Sequence, residues 1–272
     1  MNADSPAAGL DYGEHRVACP VCAKKPTDRT LGVTVEADHA VWHCFRCGLS
    51  GASRSGREYA TTAPRRTTGR VAPLEWSDIA ERIWCRTQGL RGTLGETYLR
   101  HRGCSLPPPD SHLRYLPPDD RHPPTLCAAV TDAASAKPIS LHFTRLAADG
   151  RGKAGTGVDK LLLKGHRKAG GVVRLWPDDA VTSGLAIAEG IETALAGAFA
   201  CAPIWAAIDA GNLTSFPVLP GVEALTIFAD HDDAGLKAAS ACAQRWADAD
   251  LEVYVITPTV AGLDAADLLV AA

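Results

Sequence analysis

The sequence predicts an α/β protein: a Rossmann-like parallel sheet with helices on both faces, preceded by an α+β basic subdomain and a small β ribbon built on cysteines. Three observations carry this expectation. Four apolar runs alternate with Ala-rich helical stretches after residue 184. Charge is polarised: residues 179–272 hold 2 basic and 13 acidic side chains, and the remainder holds 26 and 18. Two CxxC pairs stand near the N-terminus.

The chain has 272 residues, 46% of them hydrophobic, enough for one large domain or two small ones. No run of about 18 apolar residues occurs, so no membrane-spanning helix is expected. The first residues, MNADSPAAGLDYGEHR, lack the basic start and apolar centre of a secretory leader. Nine cysteines is an odd number without the spacing of a small secreted domain, which points to a reducing cytoplasm. The polarised charge suits a basic surface for an anionic partner joined to an acidic lobe that binds cations. A merely solvated acidic surface is the alternative.

Residues 1–53 are expected to form a zinc ribbon. Cys19-Pro-Val-Cys22 and Cys44-Phe-Arg-Cys47 each place two sulfurs in a tight turn. The intervening TLGVTVEADHAVWHC alternates like a hairpin turning at Ala37-Asp38-His39, which would return the second pair to the first. Four thiolates at tetrahedral corners suit a closed structural Zn²⁺ site, and so short a segment would fold on its metal. His43 is read as a flanking residue, and Cys85, Cys104, Cys127, Cys201 and Cys242 as small core or neutral residues. Trp42, Phe45, Arg46, Lys24 and Lys25 would add an aromatic and basic surface compatible with single-stranded nucleic acid.

Residues 54–75 read as a flexible basic linker, rich in Gly, Ser, Thr, Pro and Arg. Residues 76–180 form the basic α+β part. Ser77 or Asp78 can cap a helix through Ile79, Ile83 and Trp84, and a second helix should cover about Gly95 to His101 and stop at Gly103. Strands are expected at 126–131 and 139–146, with a turn at Ala148-Asp149-Gly150. The stretch KLLLKGHRKAGGVVRL sets Lys160, Lys164, Arg167, Lys168 and Arg174 around glycines that let backbone approach a phosphate. It is not a P-loop, lacking GK[ST] and a following helix. A hairpin with solvated charges is its other reading.

Residues 181–272 supply the parallel sheet. Apolar runs end at Glu189, Asp209 and Asp230, and a fourth strand covers Leu251–Ile256 before LDAADLLV. In such sheets the carboxyl ends of the strands form the ligand crevice. Glu189, Asp230, Asp232, Asp264 and Asp267 would fall there, and hard Mg²⁺ or Mn²⁺ ions take carboxylate oxygens. In IFADHDDAGLKAA, alternation points Asp230 and Asp232 one way and His231 the other. A divalent cation would offset the repulsion between the two acids. Asp233 fits better as the N-terminal helix residue, a cap.

The pair Glu189-Gly190 and Asp230-His231-Asp232 resembles the Toprim motifs E…DxD, found in DnaG-type primases, topoisomerases and certain nucleases. AEGIETALA and ADHDDAGLKAA are similar to the phage and plasmid primase version. Those proteins also carry an N-terminal zinc-binding module and a basic, glycine-containing stretch, an order matched by CPVC…WHCFRCG, YLRHRG and KLLLKGHRKAGGVVRL. GLDAADLL resembles the closing acidic motif GxDxxD. His231 departs from the family, where a small residue often stands.

The resemblance implies a Toprim-type fold and template-directed synthesis of short RNA primers on single-stranded DNA, by two-metal nucleotidyl transfer. It implies catalytic roles for Glu189, Asp230, Asp232, Asp264 and Asp267. Mg²⁺ or Mn²⁺ would sit on Glu189, Asp230, Asp232 and Asp267, with the choice between Asp264 and Asp267 open. Lys160, Lys164, Arg167, Lys168 and Arg174 would meet nucleotide or template, and Cys19, Cys22, Cys44 and Cys47 one structural Zn²⁺. The implied partners are single-stranded DNA, nucleoside triphosphates and a separate replicative helicase, in a bacterial host, with a phage or mobile element as source. A Toprim nuclease using water as nucleophile and a non-catalytic zinc-dependent binding module are the rival readings.

Overall fold

A computed structural model of the chain describes residues 6–47, 49–54, 57–61 and 75–259. It divides into two compact units, Met1–Val71 and Ala72–Ala272.

The first unit is a five-stranded antiparallel meander in chain order: β1 (Gly13–Val17), β2 (Leu31–Val35), β3 (His39–Cys44), β4 (Ser50–Arg54) and β5 (Arg57–Thr61). The expected hairpin is β2–β3, closed by the Glu36 N–H donating to the His39 carbonyl at 2.8 Å. Its register sets Leu31, Val33 and Val35 opposite Cys44, Trp42 and Ala40, all six buried. One face of the hairpin is thereby a small core, as period-2 alternation requires. A Cβ on Gly51 would lie 2.6 Å from the Trp42 ring, so the indole crosses β4 where only glycine leaves room. Trp42 is therefore core rather than the stacking surface expected of it. Within the linker expected over 54–75, residues 57–61 form strand β5, paired along β4. Residues 62–74 lie outside the described residues.

The second unit begins with α1 (Asp78–Cys85) and α2 (Leu94–His101), capped by the Ser77 and Thr93 hydroxyls. Nine strands make one mixed sheet: β6 (Leu113–Leu116), β7 (Thr125–Asp132), β8 (Pro138–Arg145), β9 (Lys160–Leu162), β10 (Gly171–Arg174), β11 (Gly184–Ala188), β12 (Ile204–Ala206), β13 (Ala224–Phe228) and β14 (Glu252–Ile256). The order is β14-β13-β11-β12-β10-β7-β8-β9, with β6 on β7. Strands β12, β11, β13 and β14 run parallel, and β10 is antiparallel to both β12 and β7. Across the subdomain boundary expected at 180/181 the sheet is continuous. Strand β10 pairs with both halves, and one core runs across them from Tyr98, Val130 and Ile139 to Ile191, Leu195 and Phe228.

Alternation along β11 divides the two faces. Ala186 and Ala188 pack under α3 (Ile191–Gly197), while Leu185 and Ile187 pack under α4 (Ala210–Thr214) and α5 (Asp233–Ala247). Each large aliphatic side chain so buried contributes about 1.5–3 kcal/mol. The small residues Ala194 and Gly197 let α3 lie close, and a Cβ on Gly197 would stand 3.0 Å from the Phe228 ring.

Candidate metal centres and active site

Cys19 and Cys22 lie in the loop after β1, where the Ala23 N–H turns back to the Cys19 carbonyl at 3.1 Å. Cys44 ends β3 and Cys47 follows in a turn held by Cys44 N–H to Leu49 O at 2.7 Å. The four sulfurs lie within 4.8 Å of one another. Cys19 and Cys47 are 3.7 Å apart and Cys22 and Cys44 3.4 Å. Sulfurs about 2.3 Å from a tetrahedral zinc would be about 3.8 Å apart, so the group fits Zn²⁺. Burial would raise the Cys44 thiol, yet the Cys47 and Arg46 N–H groups hold it at about 6. Burial and the neighbouring thiols push Cys22 up to about 12. Four thiolates so close need a cation before all can ionise. His43 points away from this group, edge-on to the exposed Phe45. Arg16 stacks on that ring at 4.2 Å, and Arg46 is paired with Asp28.

In the second unit the carboxylates gather at one edge. Parallel register aligns Ala188 with Ala206 and Phe228, so β11, β12 and β13 end side by side. Glu189 follows β11 directly, Asp209 follows β12 after Ala207 and Ile208, and Asp230 follows β13 after Ala229. The Thr193 hydroxyl on α3 donates to Asp230 at 3.2 Å. Asp232 is the N-cap of α5, its Oδ1 accepting from Gly235 N–H at 2.7 Å. This corrects the cap expected at Asp233, which is instead the first helical residue. Capping commits Oδ1 of Asp232. A Cβ on Gly235 would lie 2.6 Å from the Asp230 carbonyl, so glycine lets α5 start this close to the acid. His231 points away, as alternation requires, with Nδ1 donating to the Pro258 carbonyl at 2.7 Å.

These neighbours act on Glu189. Burial, then the charges of Asp230, Asp232 and Asp209, push its carboxyl up to about 7, although the Ala210 N–H donates to it. Burial beside like charges favours the protonated form of such a carboxyl. Carboxylate oxygens are the donors that Mg²⁺ or Mn²⁺ would take. Asp264 and Asp267 lie outside the described residues.

The basic residues expected to meet nucleotide or template are mostly engaged within the protein. Lys160 Nζ lies 2.8 Å from Glu192 Oε2, with Lys153 at 3.9 Å from Oε1. Tyr98 donates to the same carboxylate at 2.9 Å. Burial would raise Glu192, but the two lysines hold it at about 2. Arg167 pairs with Asp132 at 2.9 Å, and Lys168 with Asp209 at 3.0 Å. Arg174 is 3% exposed, bonded to Asp178, Thr131 and the Asp132 and Ala133 carbonyls, and stacked on Trp205. It corrects the template contact expected of it: as the last residue of the joining strand β10, it is enclosed by both halves of the sheet. Lys164 is exposed. Gly171 serves packing rather than phosphate approach, since a Cβ there would lie 2.6 Å from Val130.

Sequence reasoning left three residues without a site role: Asp209, Asn212 and Glu192. Asp209 carried the same signal as Glu189 and Asp230, an acid after an apolar run. Asn212 and Glu192 gave no signal, because their partners are distant in sequence.

A Toprim domain model matches residues 184–272, and a model described as a domain of unknown function, DUF7146, matches residues 75–175. No curated protein matches the sequence. Among solved structures, the zinc-binding and RNA polymerase domains of the Aquifex aeolicus primase are 13% identical with a TM-score of 0.47, covering 94% of this chain and 75% of that one. A DNA primase domain from Pseudomonas aeruginosa is 16% identical at 0.39, covering 74% and 60%. The primase fragment of the bacteriophage T7 primase-helicase protein is 14% identical at 0.42, covering 93% and 92%.

Proposed function

We propose that this chain, a four-cysteine module followed by a Toprim domain in the order of a DnaG-type primase, synthesises short RNA primers on single-stranded DNA. The observation that carries the reading is the convergence of Glu189, Asp230 and Asp232 at the carboxyl edge of parallel strands, inside the Toprim match. Bound Mg²⁺ or Mn²⁺ ions would stabilise the attacking and leaving oxygens of an in-line displacement. Asp230 and the Oδ2 of Asp232 would hold one ion, with Glu189 as a further ligand or proton acceptor near the attacking hydroxyl. Asp264 or Asp267 would support a second. Thr193 and the α5 cap keep Asp230 and Asp232 oriented before any ion arrives. Lys164, exposed in the basic loop, would be available to template or triphosphate. The zinc module would engage the template strand through its exposed Phe45 and the Arg16 stacked on it.

The test is primer synthesis from labelled ribonucleotides on single-stranded DNA with Mg²⁺ or Mn²⁺. Wild type should make short oligonucleotides, and Asp230→Ala should make none. Equal output from both would refute the reading. Metal-dependent loss of the DNA without nucleotides would favour a Toprim nuclease instead.

A further inference from the structure

The sheet face under α1 holds a cavity that the acid site does not use. Strands β6, β7, β8 and β9 pair so that Arg114, Cys127, Phe143 and Leu161 form one cross-strand row, and Leu116, Thr125 and Arg145 the next. Alternation keeps both rows on one face, while His142 and Lys160 lie near Glu192 on the other. Between these rows and the last turn of α1 is a cavity of about 230 Å³. Its floor is Ile83, Leu116, Phe143, Leu161 and Leu163, all half-buried. Apolar side chains left partly open to water carry a cost that a ligand covering them would remove. The cavity is smaller than the roughly 300–1,000 Å³ of drug-sized sites, so it takes a single ring system.

The rim sets the charge of that ligand. Arg86, Asp119, His122 and Arg145 line it. Asp119 is already shared, with Arg86 at 3.0 Å and His122 at 2.8 Å. Arg145 is paired through its backbone, but its guanidinium has no hydrogen-bond or ion-pair partner among the described residues. Along the first row Arg114 lies over the Trp84 ring at 5.1 Å. Arginine and aromatic ring thus recur together on this face, Arg114 with Trp84 and Arg145 with Phe143. Three arginines against one carboxylate leave it positive. A purely apolar ligand would leave Arg145 unused. Strand β9 at the sheet edge is three residues long, too short to add a peptide strand. A single strand of nucleic acid meets both needs, its base stacking in the cavity and its phosphate taking the guanidinium.

We propose that the cavity between α1 and strands β6, β8 and β9 receives one base of single-stranded DNA against Phe143, with Arg145 holding the adjoining phosphate. The choice of a single strand over other anions rests on the primer-synthesis reading above. It gives that strand a foothold on the basic half of the sheet, apart from the acids at the ends of β11 and β13.

The experiment is fluorescence anisotropy of a labelled thymidine oligonucleotide titrated with the full chain, without nucleoside triphosphate. Phe143→Leu should weaken binding about fivefold, the low end for losing one base–aromatic stack. It should leave unchanged the binding of an abasic strand of the same length, a contrast that mere loss of structure would not produce. Arg145→Gln should weaken both strands and flatten the plot of log affinity against log salt by about 0.7, one phosphate contact on a single strand. Arg145→Lys, which keeps the charge, should restore the slope. Thermal unfolding confirms that each variant is folded, and Phe143→Met serves if the leucine variant is not. Unchanged affinity and salt slope in the folded variants, or equal losses for thymidine and abasic strands in Phe143→Leu, would overturn the inference. Displacement of the strand by equimolar thymidine monophosphate would also overturn it, marking a pocket for free nucleotide. These results leave the acid site standing, because primer synthesis and its loss in Asp230→Ala are read separately. Arg145-dependent strand binding without Asp230-dependent synthesis would instead overturn the acid-site reading and keep the pocket.

Discussion

Acidifying the solution from pH 7 to pH 5 should weaken the second unit through His142. This imidazole on β8 is 8% exposed, and its Nδ1 has no hydrogen-bond partner among the described residues. Burial holds it down at about 4, with Lys160 adding to the effect and Glu192 opposing it. The ordinary histidine value is 6.5. A depressed group gives stability that is complete above the unfolded value and lost as pH falls towards the folded one, because only the unfolded chain then gains the proton. For these two values the loss between pH 7 and pH 5 is about 2 kcal/mol. Glu189 titrates in the same window with the opposite sign. Its carboxyl is raised, so its contribution is lost as pH rises from 4.5 towards about 7. The discriminating quantity is therefore the difference between wild type and His142→Gln, measured by urea unfolding at both pH values. The wild-type midpoint should fall relative to the variant by roughly 1 M urea at pH 5. Identical pH responses in the two proteins would refute the assignment of a buried neutral imidazole.

Other outcomes follow from the same structure. Glu192→Ala leaves the buried Tyr98 hydroxyl without its acceptor, while the half-exposed Lys160 turns to water, and should cost about 1–3 kcal/mol, seen as a lower unfolding midpoint. Asp230→Asn relieves charge on Glu189 and should stabilise the metal-free protein by up to about 1 kcal/mol after solvent screening, while abolishing any rise in melting temperature on adding Mg²⁺. Gly235→Ala drives a methyl against the Asp230 carbonyl and should cost about 1–3 kcal/mol, with weaker Mn²⁺ binding in a calorimetric titration. Chelating zinc, or Cys44→Ser, should remove the β-sheet circular dichroism of the first unit and leave the unfolding transition of the second in place.

Much of the site was legible because it is built from local patterns. Glu189 and Asp230 each follow an apolar run, and parallel strands bring such ends to one edge whatever the details of packing. The CxxC pairs and the alternating β2–β3 hairpin were readable for the same reason, since spacing alone decides which sulfurs can converge. The roles of Arg174 and Lys160 were not legible. A lysine near glycines looks the same whether it faces a phosphate or a buried glutamate 32 residues away. Trp42 was misread because aromatic residues serve both cores and stacking surfaces, and only the strand's parity, set by Cys44 pointing inward, distinguishes the two.

The sequence by itself determined the α/β class, the order of a cysteine module before a parallel-sheet segment, and the acids at the ends of β11 and β13. Those follow from periodicity and spacing, which act over a few residues. Tertiary structure alone decided three further things: that β10 welds the basic and acidic halves into one sheet, that Asp232 rather than Asp233 caps α5, and that Lys168 rests on Asp209. Each depends on which distant groups meet once the core closes, and the ion pairs and caps formed there are worth no more than a few kcal/mol apiece. Contacts that weak are placed by the packing around them, so they become readable only after the fold exists.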